Sequence, residues 1–289
     1  MHVPVLLQES LEFLNVHAGG FYIDATLGGG GHAEAILRKQ GRVLGIDRDP
    51  AALGRAEARL REVGELLILK HGNFAEIDAL HAETGLPRAD GLLADLGVSS
   101  WQLEDAGRGF SFERRGPLDM RMDPSSSVTA ADIVNQSRER DLADLFFRLG
   151  EERHSRRIAR AIMRARPIES TTNLAQVVSR AIPSRAGLRH LHPATRTFLA
   201  LRLAVNEELE SLAAFLSKAL SVLRPSGRLV VISFHSLEDR LVKQAMQRWR
   251  REGSARILTP KVVRPLVEEM GTNPRSRSAR LRAAEKLVG

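Results

Sequence analysis

The chain has 289 residues, 43% hydrophobic and 27% charged, with no cysteine. This is the composition of a soluble globular protein with a substantial core, and it excludes disulfides, thiolate metal sites and cysteine nucleophiles together. No apolar run approaches the ~18 residues of a membrane span and there is no secretory h-region, so a cytoplasmic protein without a membrane partner is expected. The formal charge of +8 is uneven: residues 1–100 carry nine basic and fourteen acidic side chains, and residues 248–289 carry eleven and four. The excess is mostly arginine, whose fork suits phosphate, so a polyanionic partner stands beside the plainer reading of a solvated basic face.

Leu7, Leu11 and Leu14 stand at helical spacing and open the chain with a short amphipathic helix. Phe21-Tyr22-Ile23-Asp24 reads as a buried strand that ends in an acid, turns through Gly28 to Gly31 and feeds a helical pattern from Ala33 to Gln40. Glycine is needed where the backbone takes positive φ or lies against a ligand, and a helix start offers free N–H donors. The turn is therefore a cofactor cradle of nucleotide type, in which a branched side chain at Gly30 would occupy ligand space. Gly28, Gly30 and Ala33 also satisfy the dinucleotide fingerprint, so the turn alone does not separate NAD from other adenosyl cofactors. Gly41 to Asp47 is a second strand ending in an acid, about 20 residues further on, where a carboxylate grips ribose hydroxyls. Pro50 begins the next helix at its favoured position. Leu66 to Leu69 is a third strand leading to Phe74, and Asp90 to Asp95 a fourth, again ending in an acid. Strands alternating with helices imply a parallel sheet wound on both faces, with its ligand beyond the strand carboxyl ends. Asp24, Asp47, Phe74 and Asp95 all fall at that edge.

Residues 97–127 are rich in Gly, Ser, Asp and Pro but hold Trp101, Phe110, Phe112, Met120 and Met122, which suggests an active-site loop. From Ala130 to about Asn206 the pattern is helical, and Arg153, Arg156, Arg157, Arg160 and Arg164 give one helix a basic side. Arg228 to Phe234 returns to buried-strand character as a fifth strand, with His235 just beyond it. The tail from Asn273 to Arg280 is basic, with little apolar periodicity. The expected fold is α/β: a Rossmann-like domain of residues 1–109 and 206–289, interrupted by a helical insert of residues 110–205. No HExxH or similar spacing suggests a metal site.

Several runs together resemble one family. They are His2 to Leu7, Asp24 to His32, Ile46 to Pro50, Asp95-Leu96-Gly97-Val98-Ser99-Ser100, Arg108 to Phe112, Gly116 to Asp123, His192 to Phe198, Ser233 to Arg240 and Asn273 to Arg280. The chain resembles the MraW/RsmH methyltransferases, which use S-adenosyl-L-methionine to methylate cytosine N4 in the decoding (P-site) region of 16S ribosomal RNA. The resemblance implies a class I methyltransferase fold, and a partner in 16S rRNA within the 30S subunit. It places cofactor contacts on Gly30, Gly31, His32, Asp47, Phe74, Asp95 and Gln102. Where the family commonly has Pro after the paired serines, this chain has Trp101. Cytosine N4 is a poor nucleophile because its lone pair is delocalised into the ring, so acceptors on its amino hydrogens are needed; Asp95 and Ser99 are the catalytic candidates. Trp101, Phe110, Phe112 and His235 are candidates for holding the base, and Arg275, Arg277 and Arg280, with the arginines of the insert, for its phosphates. Two other readings remain on the residues alone. An NAD-dependent oxidoreductase leaves the Asp95 to Ser100 motif without a role, and a non-catalytic ribosome-assembly factor leaves the cofactor cradle without one.

Overall fold

The computed structural model describes residues 4–182 and 192–288; His2 and Val3 of the first shared motif lie outside the described residues. The chain forms two compact units, Met1–Gly97 with Leu209–Gly289, and Val98–Glu208.

The first unit opens with helix α1 (Leu7–Leu14) and strand β1 (Phe21–Asp24). The glycine turn leads into α2 (Gly31–Arg38), β2 (Arg42–Asp47) and α3 (Pro50–Arg59). Asp49 caps α3 by accepting from Ala51 N, with Pro50 in the first turn, where a missing N–H costs nothing. β3 (Leu67–His71), α4 (Ile77–Ala82) and β4 (Ala89–Asp95) follow. Beyond Gly97 the chain enters the second unit, with α5 (Ser100–Glu104), α6 (Ala130–Gln136), α7 (Glu139–Gly150), α8 (Ser155–Ala165), α9 (Thr171–Ala181) and α10 (Thr195–Val205). The first unit resumes with α11 (Glu208–Lys218), β5 (Leu223–Ser233), α12 (Ser236–Arg251), β6 (Ala255–Ile257), α13 (Val267–Thr272) and β7 (Arg280–Lys286).

The sheet order is β3-β2-β1-β4-β5-β7-β6. β1 to β5 are parallel, while β7 pairs antiparallel with both β5 and β6. Side chains alternate between two apolar faces: Phe21, Ile23, Leu92 and Val231 join Phe215 and Trp249 on one, and Tyr22, Leu93, Val230 and Ile232 join Leu11 and Ile36 on the other. The chain reverses its winding between β1 and β4, which is where a doubly wound sheet opens a crevice at the strand carboxyl ends. Asp24 and Asp95 end those two strands.

Three sequence expectations differ from the structure. β6 and β7 have no counterpart in the sequence reading: the basic tail closes the sheet with charges that find partners, Arg282 on Asp239 and Arg228 and Arg256 on Glu285. β5 begins at Leu223, with a register shift opposite Ala89 to Gly91, and not at Arg228. The unit boundaries fall at Gly97/Val98 and Glu208/Leu209, against the expected 109/110 and 205/206. The reason is packing: Phe110, Leu118, Met120 and Met122 are buried with Leu142, Phe146, Ile158 and Leu174 of the helical unit, so the loop is part of that unit's core.

Candidate active site

At the β1/β4 edge, Asp24 is buried and its Oδ1 accepts from Thr26 N at 3.2 Å. Thr26 Oγ1 accepts in turn from Asp95 N at 2.6 Å, so one hydroxyl ties the ends of the two strands. The Asp95 side chain keeps 24% of its accessibility, but Oδ1 itself is hidden and has no hydrogen-bond partner among the described residues. Asp95 Oδ2 lies 3.7 Å from Nδ1 of the buried His32 on α2. His32 Nε2 faces the Val5 carbonyl at 3.2 Å. Glu238, 2% exposed on α12, takes Phe234 N at 2.9 Å, and its other oxygen lies 3.0 Å from His235 Nε2 without the alignment of a hydrogen bond.

The electrostatics follow from this crowding. Burial pushes the Asp95 carboxyl well above the usual carboxylate range, with the negative charges of Asp24 and Glu238 adding to it. Burial raises Asp24 to about 7, against the Thr26 N–H and with help from Asp47. Asp47 is also raised by burial, although Asp49 N and Gly28 N oppose the shift. Among the described residues, no arginine or lysine forms an ion pair with Asp24 or Asp95.

A stability test follows for Asp24. Between the ordinary carboxyl range and about 7 the folded chain keeps a proton that the unfolded chain has lost, so stability falls as pH rises through that window. The cost at its upper end is on the order of 4 kcal/mol. Asp24→Asn keeps an acceptor for Thr26 N and removes the ionisation, so the fall in melting temperature from pH 4 to pH 7 is expected to be shallower in the variant. Equal slopes would contradict the assignment.

The glycine turn is organised by Asp47, whose Oδ2 accepts Gly28 N at 2.7 Å and whose Oδ1 accepts Asp49 N at 2.8 Å. One carboxylate thus fixes both the turn and the start of α3. Gly28 has φ +53° and a Cβ there would meet nothing closer than Thr26 O at 3.9 Å, so this glycine faces open space. Gly30 differs from expectation. A Cβ on it would lie 3.0 Å from Leu60 Cδ1 and 3.3 Å from Ala56 Cβ, and its φ is +74°. It is the left-handed N-cap of α2 packed on α3, so Gly30→Val would disturb the fold and is no clean test of ligand space. Gly31 likewise packs on Pro4, whose Cγ would stand 2.5 Å from a Cβ at this position, and its contribution to a ligand is confined to its backbone. Phe74 follows β3 and meets Phe215 edge-on at 5.2 Å between ring centres.

The remaining sequence candidates have local structural roles of their own. Ser99 caps α5: its Oγ accepts Gln102 N at 3.3 Å while Gln102 Oε1 accepts Ser99 N at 2.9 Å. Gln102 is 5% exposed, so a capping box explains both residues locally. Trp101 is 52% exposed on the same helix. Phe110 is buried in the core of the helical unit, which removes its ring as a stacking platform. Phe112 lies 4.6 Å from His192 between ring centres with the planes tilted by 32°, and meets Phe198 edge-on at 4.8 Å. His235 caps α12. Arg275 and Arg277 are exposed in a 3-10 turn. Arg280 differs from them, because it belongs to β7 and lies 3.7 Å from Asp239. Thr26 and Glu238 are members of this edge that are not among the sequence candidates, although both lie in runs that carry the resemblance, Asp24 to His32 and Ser233 to Arg240.

A doubly wound sheet with antiparallel β7 between β5 and β6, and a glycine turn facing acid-tipped strands, defines a Rossmann-like methyltransferase. The chain belongs to the MraW methylase family, whose model matches residues 1–287. It is 53% identical to ribosomal RNA small subunit methyltransferase H of Syntrophobacter fumaroxidans, over 99% of this chain and 96% of the relative. It is 52% identical to the protein of the same name from Thermomicrobium roseum, over 99% and 94%. Among solved structures, an rRNA methylase from Streptococcus thermophilus aligns over 100% of both chains with a TM-score of 0.49 at 12% identity.

Proposed function

We propose that this chain methylates the exocyclic N4 of a cytidine in the decoding region of 16S ribosomal RNA, with S-adenosyl-L-methionine as donor, and so tunes the decoding centre. The observation that carries the reading is the pair of buried carboxylates Asp24 and Asp95 at the β1/β4 edge, with which no arginine or lysine among the described residues forms an ion pair, and of which Asp95 leaves a hidden oxygen unsatisfied among those residues. A cationic ligand relieves that repulsion, whereas the pyrophosphate of a dinucleotide would add to it. The residues therefore fit S-adenosylmethionine, and the oxidoreductase alternative fits them less well. When bound, this cofactor supplies a methyl group made electrophilic by its positive sulfur.

The chain's own contribution is to bind and orient. Gly28 offers space beside the turn, Asp47 has lone pairs left for ribose hydroxyls after accepting two backbone amides, and Phe74 supplies an aromatic ring just beyond β3. The Asp95 side chain keeps 24% of its accessibility although Oδ1 is hidden; an amino hydrogen held on the accessible side of this carboxylate localises the nitrogen lone pair for attack. Methylation releases one amine proton, and a carboxyl whose affinity for protons is raised is suited to take it. Ser99 keeps its hydroxyl hydrogen for a further partner after accepting Gln102 N. The relatives' name supports small-subunit RNA as the acceptor.

The test is transfer of tritiated methyl from S-adenosylmethionine to small ribosomal subunits, with calorimetric titration of S-adenosylmethionine and NAD in parallel. The proposal requires labelled RNA and heat from the first ligand only. Binding of NAD without S-adenosylmethionine, or no label in RNA, would overturn it.

A further inference from the structure

Between α8 and α9 of the helical unit runs a groove of about 690 Å³ whose walls carry Arg156, Arg157, Arg160, Arg164 and Arg180. Its floor is made by small apolar side chains, among them Ala161, Ala165 and Val177. We propose that this groove seats the sugar-phosphate backbone of the RNA substrate; the inference rests on the function proposed above and assigns it a second contact surface.

The sequence produces the groove by a division of faces. Ile158, Ala159 and Ile162 turn inward and pack with Leu174 and Val178 of α9. The opposite side of α8 is left to arginine. Arg156, Arg160 and Arg164 recur every fourth residue, a rise of about 6 Å per step, which is close to the separation of successive phosphates along a nucleic-acid strand. Arg180 faces them from the second helix, so the positive walls converge and do not form a single solvated stripe.

Pairing separates these arginines from their neighbours. Arg166, at the end of α8, is spent on the carbonyls of Val134 and Ser137. Arg160 lies 3.5 Å from Glu139. Among the described residues, no carboxylate pairs with Arg156, Arg157, Arg164 or Arg180, and all four are exposed. The arginines of the sheet contrast with them: Arg280 and Arg282 of β7 face Asp239, and Arg228 and Arg256 of the flanking strands face Glu285. Converging unpaired guanidinium forks on a floor of small side chains match a repeating anion with planar oxygen faces, which is a phosphodiester chain.

The test uses the full chain and small ribosomal subunits. Arg156, Arg157, Arg164 and Arg180 are changed together to Gln, and in a second variant together to Lys. For the Gln variant, KM for the subunit is expected to rise roughly tenfold or more. The slope of log binding constant against log salt should become shallower by about three, near 0.7 for each lost single-strand contact. Affinity for S-adenosylmethionine should stay at the wild-type value. The Lys variant keeps charge but not the fork, so its salt slope should match wild type while its affinity falls, and it reports on the groove even if the Gln variant folds poorly. Wild-type KM and slope in both variants would overturn the groove and leave the methylation reading standing. Failure of the wild-type chain to bind or methylate small-subunit RNA would overturn both. Competition by polyglutamate as strong as competition by a non-substrate RNA would assign the groove to an acidic protein, against the proposal.

Discussion

Asp95→Asn is expected to lower kcat on the order of a hundredfold to a thousandfold, the usual loss when one preorganised partner of a reacting group is removed, and at the same time to raise the melting temperature at pH 7. The two effects have one cause. Asp95 is pressed into a buried site beside Asp24 and Glu238, and its Oδ1 has no partner among the described residues. Keeping an ionisable group there costs stability, and an amide of the same shape removes the repulsion. A residue retained for packing would lose stability on substitution and leave turnover alone. Thermal melting and steady-state kinetics on the same preparation decide the matter: turnover within a few-fold of wild type, or a lower melting temperature, would contradict the role given to Asp95. The pH profile adds a sign. If the ionised carboxylate is the acceptor, activity should rise with pH as Asp95 loses its proton, and the Asn variant should lack that limb.

Asp47→Ala is expected to weaken S-adenosylmethionine binding by roughly 1 to 3 kcal/mol, about ten- to a hundredfold in Kd, from the loss of a charged acceptor for hydroxyls. The structure adds a reason that the sequence did not contain. Asp47 also holds Gly28 N and Asp49 N, so the alanine variant loosens the turn as well as the ribose contact. Asp47→Asn keeps the side-chain volume and one carbonyl acceptor, so it is expected to lose less affinity than Asp47→Ala. Calorimetry on both variants is the check, and unchanged affinity in Asp47→Ala would remove this residue from the cofactor site.

Legibility in the sequence varies with how local the signal is. β1, β2 and β4 are short apolar runs that end in an acid, and period and topology alone place Asp24, Asp47 and Asp95 at one sheet edge. Pro50 marks the start of α3 for the same reason. β7 is hidden because Arg-Leu-Arg-Ala-Ala-Glu-Lys lacks β-branched residues and is dense in charge. It becomes a strand only through partners distant in sequence, Arg282 with Asp239 and Glu285 with Arg228. Phe110 and Gly30 mislead in a related way. Both sit in stretches that look like ligand loops, but one ring fills the core of the helical unit and the other backbone packs on Leu60 and Ala56. Glycine content marks close approach without saying whether a ligand or a helix is what approaches.

What separates N4-methylation of cytidine from every other RNA methyl transfer is the identity of the atom that receives the group, and nucleoside analysis reads that atom. Small subunits lacking the modification are incubated with the chain and isotope-labelled S-adenosylmethionine, the RNA is digested to nucleosides, and the label is located by chromatography and mass spectrometry. Label is expected in N4-methylcytidine, and is expected to be absent when Asp95→Asn replaces the wild-type chain. Label in 5-methylcytidine, in a 2′-O-methylated nucleoside or in a purine would contradict the proposed reaction.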